Sequence, residues 1–387
     1  MTATLRIGFI PLVDAAALIV AVDKGFAAAE GLEVELVREV SWSNVRDKLN
    51  IGLFDAAHLL APVAIASSLG LGHVKVPIAA PFNLGVNGNA ITVSPALHAA
   101  LMEEIDGDRF DPLATAKALA KVVAIRRKAG DDPLTFGMTF PFSTHNYQLR
   151  FWMAAAGVDP DEDVRLVVLP PPYMVDSLAN GHVDAFCVGA PWNSIAVDLG
   201  IGQILHFVSD ILARAAEKVL AVRQVWADKN PDVVAALVRA AVKAAEFIEQ
   251  PANLAETAQL LAQPERIGVD AEVILRSLTG RLKIAPDGAV RESGRYLLVG
   301  REGAGRPDPV QAAWLYAQMV RWGQTALSPE ALKTAMAVFR PDLYDAALGH
   351  SGSGQASAAV GAFAGPAFDP TDVGGYLASF EVGRRAL

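Results

Sequence analysis

The stretch Leu5-Arg6-Ile7-Gly8-Phe9-Ile10-Pro11-Leu12-Val13-Asp14-Ala15-Ala16-Ala17-Leu18-Ile19-Val20-Ala21-Val22-Asp23-Lys24-Gly25-Phe26 decides the fold. Leu5 to Ile10 is a short apolar run stopped by Pro11, which lacks the N–H a sheet needs, and a helical pattern starts near Asp14. Strand, turn and helix in that order open a βαβ unit. The turn lies at the strand's carboxyl end, where open α/β folds receive ligands, so its backbone N–H groups are expected to be free for one. Ala15 to Val22 is too short to cross a bilayer, and Asp14 and Asp23 bracket it.

Outward from that unit the alternation recurs. Glu33 to Glu39 reads as a strand, Ser43 to about Gly52 as a helix, and Ala56 to Leu60 as a third strand ahead of Pro62 and more helix. Strands alternating with helices predict a parallel sheet. Between Ser94 and Pro133 the texture changes, with an acidic piece around Glu103 to Pro112 and a helical Ala114 to Lys128. A second lobe follows: strands at Leu134 to Thr139, Arg165 to Leu169 and Ala185 to Val188, with helices from about His145 to Ala156 and near Met174 to Asn180. After Pro191 the chain returns, and residues 215 to 250 read as a strand and a long helix. The last third is mostly helical; Ala312 to Thr325 is its clearest amphipathic piece, and Gly349 to Gly365, rich in Gly, Ser and Ala, reads as a flexible connector. The expected organisation is lobe 1 from 1–93 plus 190–387 and lobe 2 from 94–189, with a cleft between them that closes on a ligand.

Composition narrows the function. The chain has 387 residues, 52% hydrophobic and 19% charged, with 33 Lys and Arg against 42 Asp and Glu, a formal charge of −9. Basic residues are scattered, so direct nucleic-acid binding is not expected, nor is a membrane span. One cysteine, Cys187, excludes an internal disulfide and disfavours cysteine-held zinc. The seven histidines are dispersed, without H-x-H or H-E-x-x-H. There is no GxxxxGK[ST] loop, and no GxGxxG follows a strand. Gly349-His-Ser-Gly-Ser353 lacks the last glycine of a nucleophile elbow and sits in the connector. A secretory leader needs a basic region, an apolar core and a cleavage site. Cleavage after the first apolar stretch here removes the first strand, so a cytoplasmic protein is expected, with a misassigned start as the rival. No enzyme activity, metal or cofactor is expected.

Binding signals are stronger. Trp42, in Ser41-Trp42-Ser43-Asn44-Val45-Arg46-Asp47, opens a helix for which Ser41 or Ser43 is the cap. Its indole can stack on a small planar anion or simply fill the core. Asn87-Gly88 is a tight-turn signature, and a turn beside the cleft can also aim the Asn87 amide at a ligand. Thr139-Phe140-Pro141-Phe142-Ser143-Thr144-His145 ends a strand and starts a helix; Ser143 and Thr144 offer hydroxyls and N–H groups suited to an oxyanion, or an ordinary cap, and His145 adds a donor or partial positive charge, or is simply an exposed or capping residue. Gly189 lets backbone approach a ligand closely. Lys218 is the best single source of positive charge for an anion, or an ordinary solvated surface lysine.

These segments in order resemble the nitrate-binding and bicarbonate-binding proteins of bacterial ABC uptake systems, and more closely the cytoplasmic nitrate and nitrite sensors of the NasS type. The resemblance rests on residues 8–16, 41–47, 87–93, 141–147, 186–193 and Phe368-Asp369-Pro370. It implies a two-lobed, C-clamp α/β fold of the type II periplasmic-binding-protein kind, and nitrate held at Trp42, Asn87, Gly189 and Lys218. It also implies, for the sensors, release of a NasT-type RNA-binding antiterminator when nitrate or nitrite closes the lobes. The alternative is the solute-binding protein of a nitrate transporter. The chain departs from the uptake proteins at Asn87, where they carry glutamine, and at Met138, where they carry histidine; His145 can take over the latter role. Lys218 matches the nitrate binders, whereas the bicarbonate binders carry glutamate there. Two readings lie further off: an enzyme like the pyrimidine-precursor synthases of thiamine biosynthesis, which needs a catalytic histidine and lysine constellation that the sparse histidines here do little to support, and a binder of aromatic sulfonates or pyrimidines, which a pocket too small for a ring excludes.

Overall fold

In the computed structural model, which describes residues 4–349 and 360–383, Leu5–Phe9 is strand β1 and Val34–Arg38, Ala56–Leu60 and Ile78–Asn87 are β2, β3 and β4. Asn89–Val93 is β5, Thr135–Met138 β6, Arg165–Val168 β7, Ala185–Gly189 β8, Gln203–Phe207 β9 and Ala216–Arg223 β10. Arg281–Lys283 and Val290–Glu292, β11 and β12, pair as a small antiparallel hairpin, and Leu297–Leu298 is β13.

The described residues form two main sheets. The first runs in the order β13-β4-β10-β3-β1-β2, with β1 parallel to β2 and β3, and β10 antiparallel to β3 and β4. The second runs β7-β6-β8-β5-β9, with β6 parallel to β7 and β8, and β5 antiparallel to β8 and β9. Each sheet is flanked by buried helices: Ala16–Asp23 on the first buries an alanine-rich and aliphatic face, and Thr144–Ala154 on the second buries polar residues in its first turns and Phe151, Trp152 and Met153 after them. The α/β expectation holds, and the parallel β1-β2-β3 set forms from the segments read as alternating strand and helix.

Sheet membership extends the second lobe beyond 94–189. β5 at 89–93 and β9 at 203–207 both belong to the second sheet, so the chain crosses at Gly88 and returns between Phe207 and Ala216. Short strands adjoining a crossing carry no sequence signal for the sheet they join. At the first crossing Asn87 (φ +64°) and Gly88 (φ +94°) both take left-handed backbone, the conformation for which Asn-Gly is suited. The pair makes a step from one sheet to the other rather than a hairpin.

Asn87 also joins the two crossings. Its N–H donates to Ala215 O at 2.9 Å, its side-chain Oδ1 accepts from Ala215 N at 2.9 Å, and its Nδ2 donates to Arg295 O at 3.0 Å. A third connection comes from the C-terminal region. Gln324 accepts from Tyr147 Oη at 2.7 Å and donates to Pro141 O at 2.9 Å, while Trp314 and Phe363 pack beside Phe151 of the second lobe's helix. The segment read as amphipathic proves to be buried on all sides from Gln311 to Arg321 within the helix Pro309–Arg321, because it is packed by elements of both lobes. Most of the Gly349 to Gly365 connector lies outside the described residues, as does most of the Gly349–Ser353 motif. Among the described residues no helix is long and apolar enough to cross a membrane.

Candidate functional site

Lys218 is the centre from which the site is built. It lies on β10 and is wholly buried, which is rare for a lysine and requires compensating charge. Its Nζ meets Asp14 Oδ2 at 2.8 Å and Glu217 Oε1 at 3.8 Å. Successive residues of a regular strand face opposite ways, yet Glu217 and Lys218 enter the same site. A bulge explains this: Ala216 pairs with Val86 and Lys218 with Gly85, leaving Glu217 as the extra residue. Gly85 is required opposite, since a Cβ there lies 2.9 Å from Asp14 Cβ.

On the first-lobe side, β3 and the opening turn hold the charge of Lys218. His58 Nε2 lies 3.0 Å from Asp14 Oδ1, and His58 Nδ1 accepts from Ile10 N at 3.4 Å, which makes Nε2–H the donor to the carboxylate. Burial favours the acid form of Asp14, but Lys218 and the His58 hydrogen bond outweigh it and keep the carboxyl well below its ordinary range. Burial likewise opposes the Lys218 charge, and the two carboxylates overcome it, leaving its pKa raised. Trp42, 1% exposed, sits under the ammonium with its ring centroid 5.5 Å from Nζ, and packs edge-on to His58. Ser41 caps its helix by accepting from Asn44 N at 3.3 Å.

Across the cleft the second lobe supplies neutral groups. Glu217 Oε2 accepts from Asn89 Nδ2 at 2.8 Å and from the Thr144 hydroxyl. His145 Nδ1 is 3.6 Å from Glu217 Oε1 and 3.0 Å from the Thr139 hydroxyl. Burial first, then Lys218, holds His145 well below the usual imidazole range, so it is neutral at pH 7. Burial pushes Glu217 up to about 7, with Lys218 and the Asn89 amide pulling the other way. Gly189 closes the group, since a Cβ there lies 3.3 Å from Asn89 Oδ1 and 3.6 Å from Asp14 Oδ2.

Seven of these buried polar atoms have no hydrogen-bond partner among the described residues: Trp42 Nε1, Asn89 Oδ1, His145 Nε2, Gln148 Nε2, Glu217 Oε1, Asp14 Oδ2 and Lys218 Nζ, the last two being joined as an ion pair. Buried polar groups are ordinarily satisfied, so such a concentration marks a place built for something polar. Donors from Lys218, Trp42 and His145 suit an anion. The acceptor oxygens oppose it: Asn89 Oδ1, Asp14 Oδ2, whose charge Lys218 offsets, and Glu217 Oε1, whose charge has no cation of its own.

Of the residues singled out in the sequence, Trp42, Thr139, Thr144, His145, Gly189 and Lys218 come together. Ser143 stands beside them as a cap: its hydroxyl accepts from Asn146 N at 3.1 Å and donates to Phe140 O at 2.6 Å. Asn87 and Gly88 are committed to the crossing: the Asn87 amide is spent on backbone at both ends, and Gly88 donates to Tyr296 O at 2.6 Å and accepts from Ala190 N at 3.0 Å. Asn89, two residues on, faces the site in its place. The opening turn also differs from expectation. The N–H groups of Ile10, Leu12, Val13 and Ala15 are bonded to His58 Nδ1, Ile10 O, Ala190 O and Leu12 O, so the turn contributes the Asp14 carboxylate instead of free donors. Asp14, His58, Asn89 and Glu217 were missed as site residues. The pairing of acidic residues with a strand lysine that is otherwise surrounded by apolar sequence was the available signal.

Two α/β lobes with a buried charged site between them define the class, that of the periplasmic binding proteins. Within that class the chain belongs to the NMT1-like family, which it matches over residues 1–262. It is 33% identical over 385 residues to the nitrate/nitrite binding protein NrtA of Synechococcus elongatus, covering 96% of this chain and 84% of that protein. It is likewise 33% identical to the bicarbonate transport ATP-binding protein CmpC of Synechococcus elongatus, over 98% of this chain. The chain spans 55% of the length of CmpC and of the nitrate import ATP-binding protein NrtC of Synechocystis. The crystal structure of the periplasmic nitrate-binding protein NrtA from Synechocystis PCC 6803 superposes with a TM-score of 0.89 at 28% identity, covering 98% of each chain.

Proposed function

We propose that the chain is a binding protein for nitrate or nitrite, serving an ABC-type import system. The observation that carries this is the buried Lys218 ammonium, set over the Trp42 ring between the lobes with hydrogen-bonding capacity to spare. A planar monovalent oxyanion presents oxygens to the ammonium and to the indole and imidazole N–H groups, and each such charge-assisted contact is stronger than a neutral one. The nitrate/nitrite binding relative supports the choice of anion, as does the lysine itself. The import relatives favour this transport reading over the sensor reading with its NasT-type antiterminator partner. A thermal-shift comparison of nitrate, nitrite, bicarbonate and sulfate tests the ligand. Nitrate and nitrite are expected to raise the midpoint, and stabilisation by sulfate alone contradicts the proposal. A complex with a NasT-type protein that nitrate dissolves would reverse the preference between transport and sensing.

A further inference from the structure

The anion reading leaves a charge problem. Lys218 supplies one positive charge, Asp14 is already paired with it at 2.8 Å, and Glu217 adds a second carboxylate within 3.8 Å. All three side chains are buried, Asp14 at 3% exposure and the other two at 0%. The histidines do not correct the sum, because burial favours their neutral forms: His58 is bonded to Asp14, and His145 is held low by burial and by Lys218. With both carboxylates ionised the site carries one net negative charge, and an entering anion makes it two in a region that solvent does not screen.

The groups around Glu217 show where relief lies. Lys218 lies beside it on β10, Asp14 reaches in from the turn Val13–Ala15, and His58 stands behind Asp14 on β3. From the second lobe come Asn89 on β5, Thr144 and His145 on their helix, and Cys187 on β8, whose thiol burial keeps protonated; Tyr296 beyond Asp14 keeps its phenol proton for the same reason. Glu217 Oε2 already accepts two hydrogen bonds, whereas Oε1 has no hydrogen-bond partner. Asp14 is held ionised by the Lys218 ammonium on one oxygen and the neutral His58 N–H on the other; Glu217 is the carboxylate that can take a proton at Oε1 without breaking a hydrogen bond.

We propose that Glu217 is a proton-carrying residue of the anion site: a monovalent oxyanion enters together with one proton from solvent, and that proton stays on Glu217 Oε1, from which it makes a hydrogen bond to the anion. One anion and one proton enter, so the net charge of the site is unchanged by binding. The proposal rests on the nitrate reading. It makes Glu217 a specificity residue as well, since an acid proton favours a ligand made only of acceptors. The elevated proton affinity of the buried carboxyl, near neutral in the free protein, is consistent with this role.

The test is titration of nitrate into the full chain at pH 6, 8 and 9, in buffers of different ionisation enthalpy, so that proton uptake is counted directly. The expected result is close to one proton taken up per nitrate at pH 9, less at pH 6, and an affinity that falls about tenfold between pH 8 and 9. Glu217→Gln keeps a neutral donor and is expected to bind nitrate with no proton uptake and no such pH dependence. Nitrate binding by the wild type with no proton uptake at pH 9 overturns the proposal while leaving the nitrate reading intact. Uptake that persists in Glu217→Gln and vanishes in His145→Gln assigns the proton to the histidine and overturns it too. Absence of nitrate binding at every pH overturns the nitrate reading and this inference with it.

Discussion

The two sides of the site handle the same problem, a buried carboxylate, in opposite ways. On the first-lobe side Asp14 is locked into its ionised form between Lys218 and His58 Nε2–H, and it serves to hold the lysine charge in place. On the second-lobe side Glu217 meets Asn89, Thr144 and His145, which are neutral, and its proton affinity is raised instead of lowered. Burial opposes ionisation of both; the partners differ. The carboxylate in direct contact with the ammonium becomes scaffold, and the one 3.8 Å from it, hydrogen-bonded by neutral groups, remains free to exchange its proton.

The heaviest blow to that comparison is Lys218→Met. It strips both carboxylates of their cation, and a buried pair broken from one side typically loses about 3–5 kcal/mol. Nitrate affinity should fall at least about a hundredfold, the size of two charge-assisted contacts. Denaturant unfolding and a nitrate titration check the two parts. Adding Asp14→Asn to Lys218→Met should restore part of the stability but none of the binding.

Asn87→Ala probes the crossing instead of the charges. The loss of two buried side-chain hydrogen bonds, at a position with φ +64°, should lower stability by about 1–3 kcal/mol. If Asn87 were a ligand residue, as the sequence resemblance implies, nitrate affinity would collapse while stability held. The positions are two residues apart, so the contrast with Asn89→Ala, which should weaken binding, is a sharp one.

Gly189→Ala acts on the space between the two sides. A methyl group 3.3 Å from Asn89 Oδ1 and 3.6 Å from Asp14 Oδ2 should weaken nitrate about tenfold, close to 1.4 kcal/mol, with little change in unfolding midpoint.

Per pH unit, the last effect is a slope no larger than the Gly189→Ala change. The Glu217 pKa is raised in the folded state from an ordinary value of 4.5 to about 7. Its contribution to stability is therefore fully present below about 4.5 and lost as pH rises to about 7, at no more than about 1.4 kcal/mol per pH unit. His58 and His145 are depressed, so their contribution runs the other way and grows as pH rises toward 6.5. The two trends oppose each other in the wild type. In Glu217→Gln the plot of stability against pH from 5 to 7 should climb more steeply; an unchanged slope means Glu217 does not hold a proton there.

Much of this was legible in the residues. Pro11 and the apolar run before it marked the first strand and its turn, and alternation marked the parallel part of the first sheet. Trp42, His145, Gly189 and Lys218 were readable from their places: an indole at a helix start, a histidine in the first turn of a helix that opens on Ser143-Thr144, a glycine ending a strand, a lysine opening one. What was not legible depended on register. The bulge at Glu217 turns two successive side chains into one site, and alternation alone assigns them to opposite faces. The Asn87–Asn89 exchange has the same origin, because only the crossing at Gly88 decides which asparagine looks into the cleft. Asp14 was visible as a helix-start residue, but its role needs His58 and Lys218, which are 44 and 204 residues away in sequence, brought beside it by β3 and β10.

Uptake of a monovalent oxyanion is the role proposed for the buried Lys218 site. Titration calorimetry of nitrate into the full chain at pH 6.5, beside Lys218→Met, tests it most directly. Saturable binding with one nitrate per chain, lost in the variant, is expected. A wild type that shows no saturable heat at millimolar nitrate, or a variant that binds as well as the wild type, contradicts it.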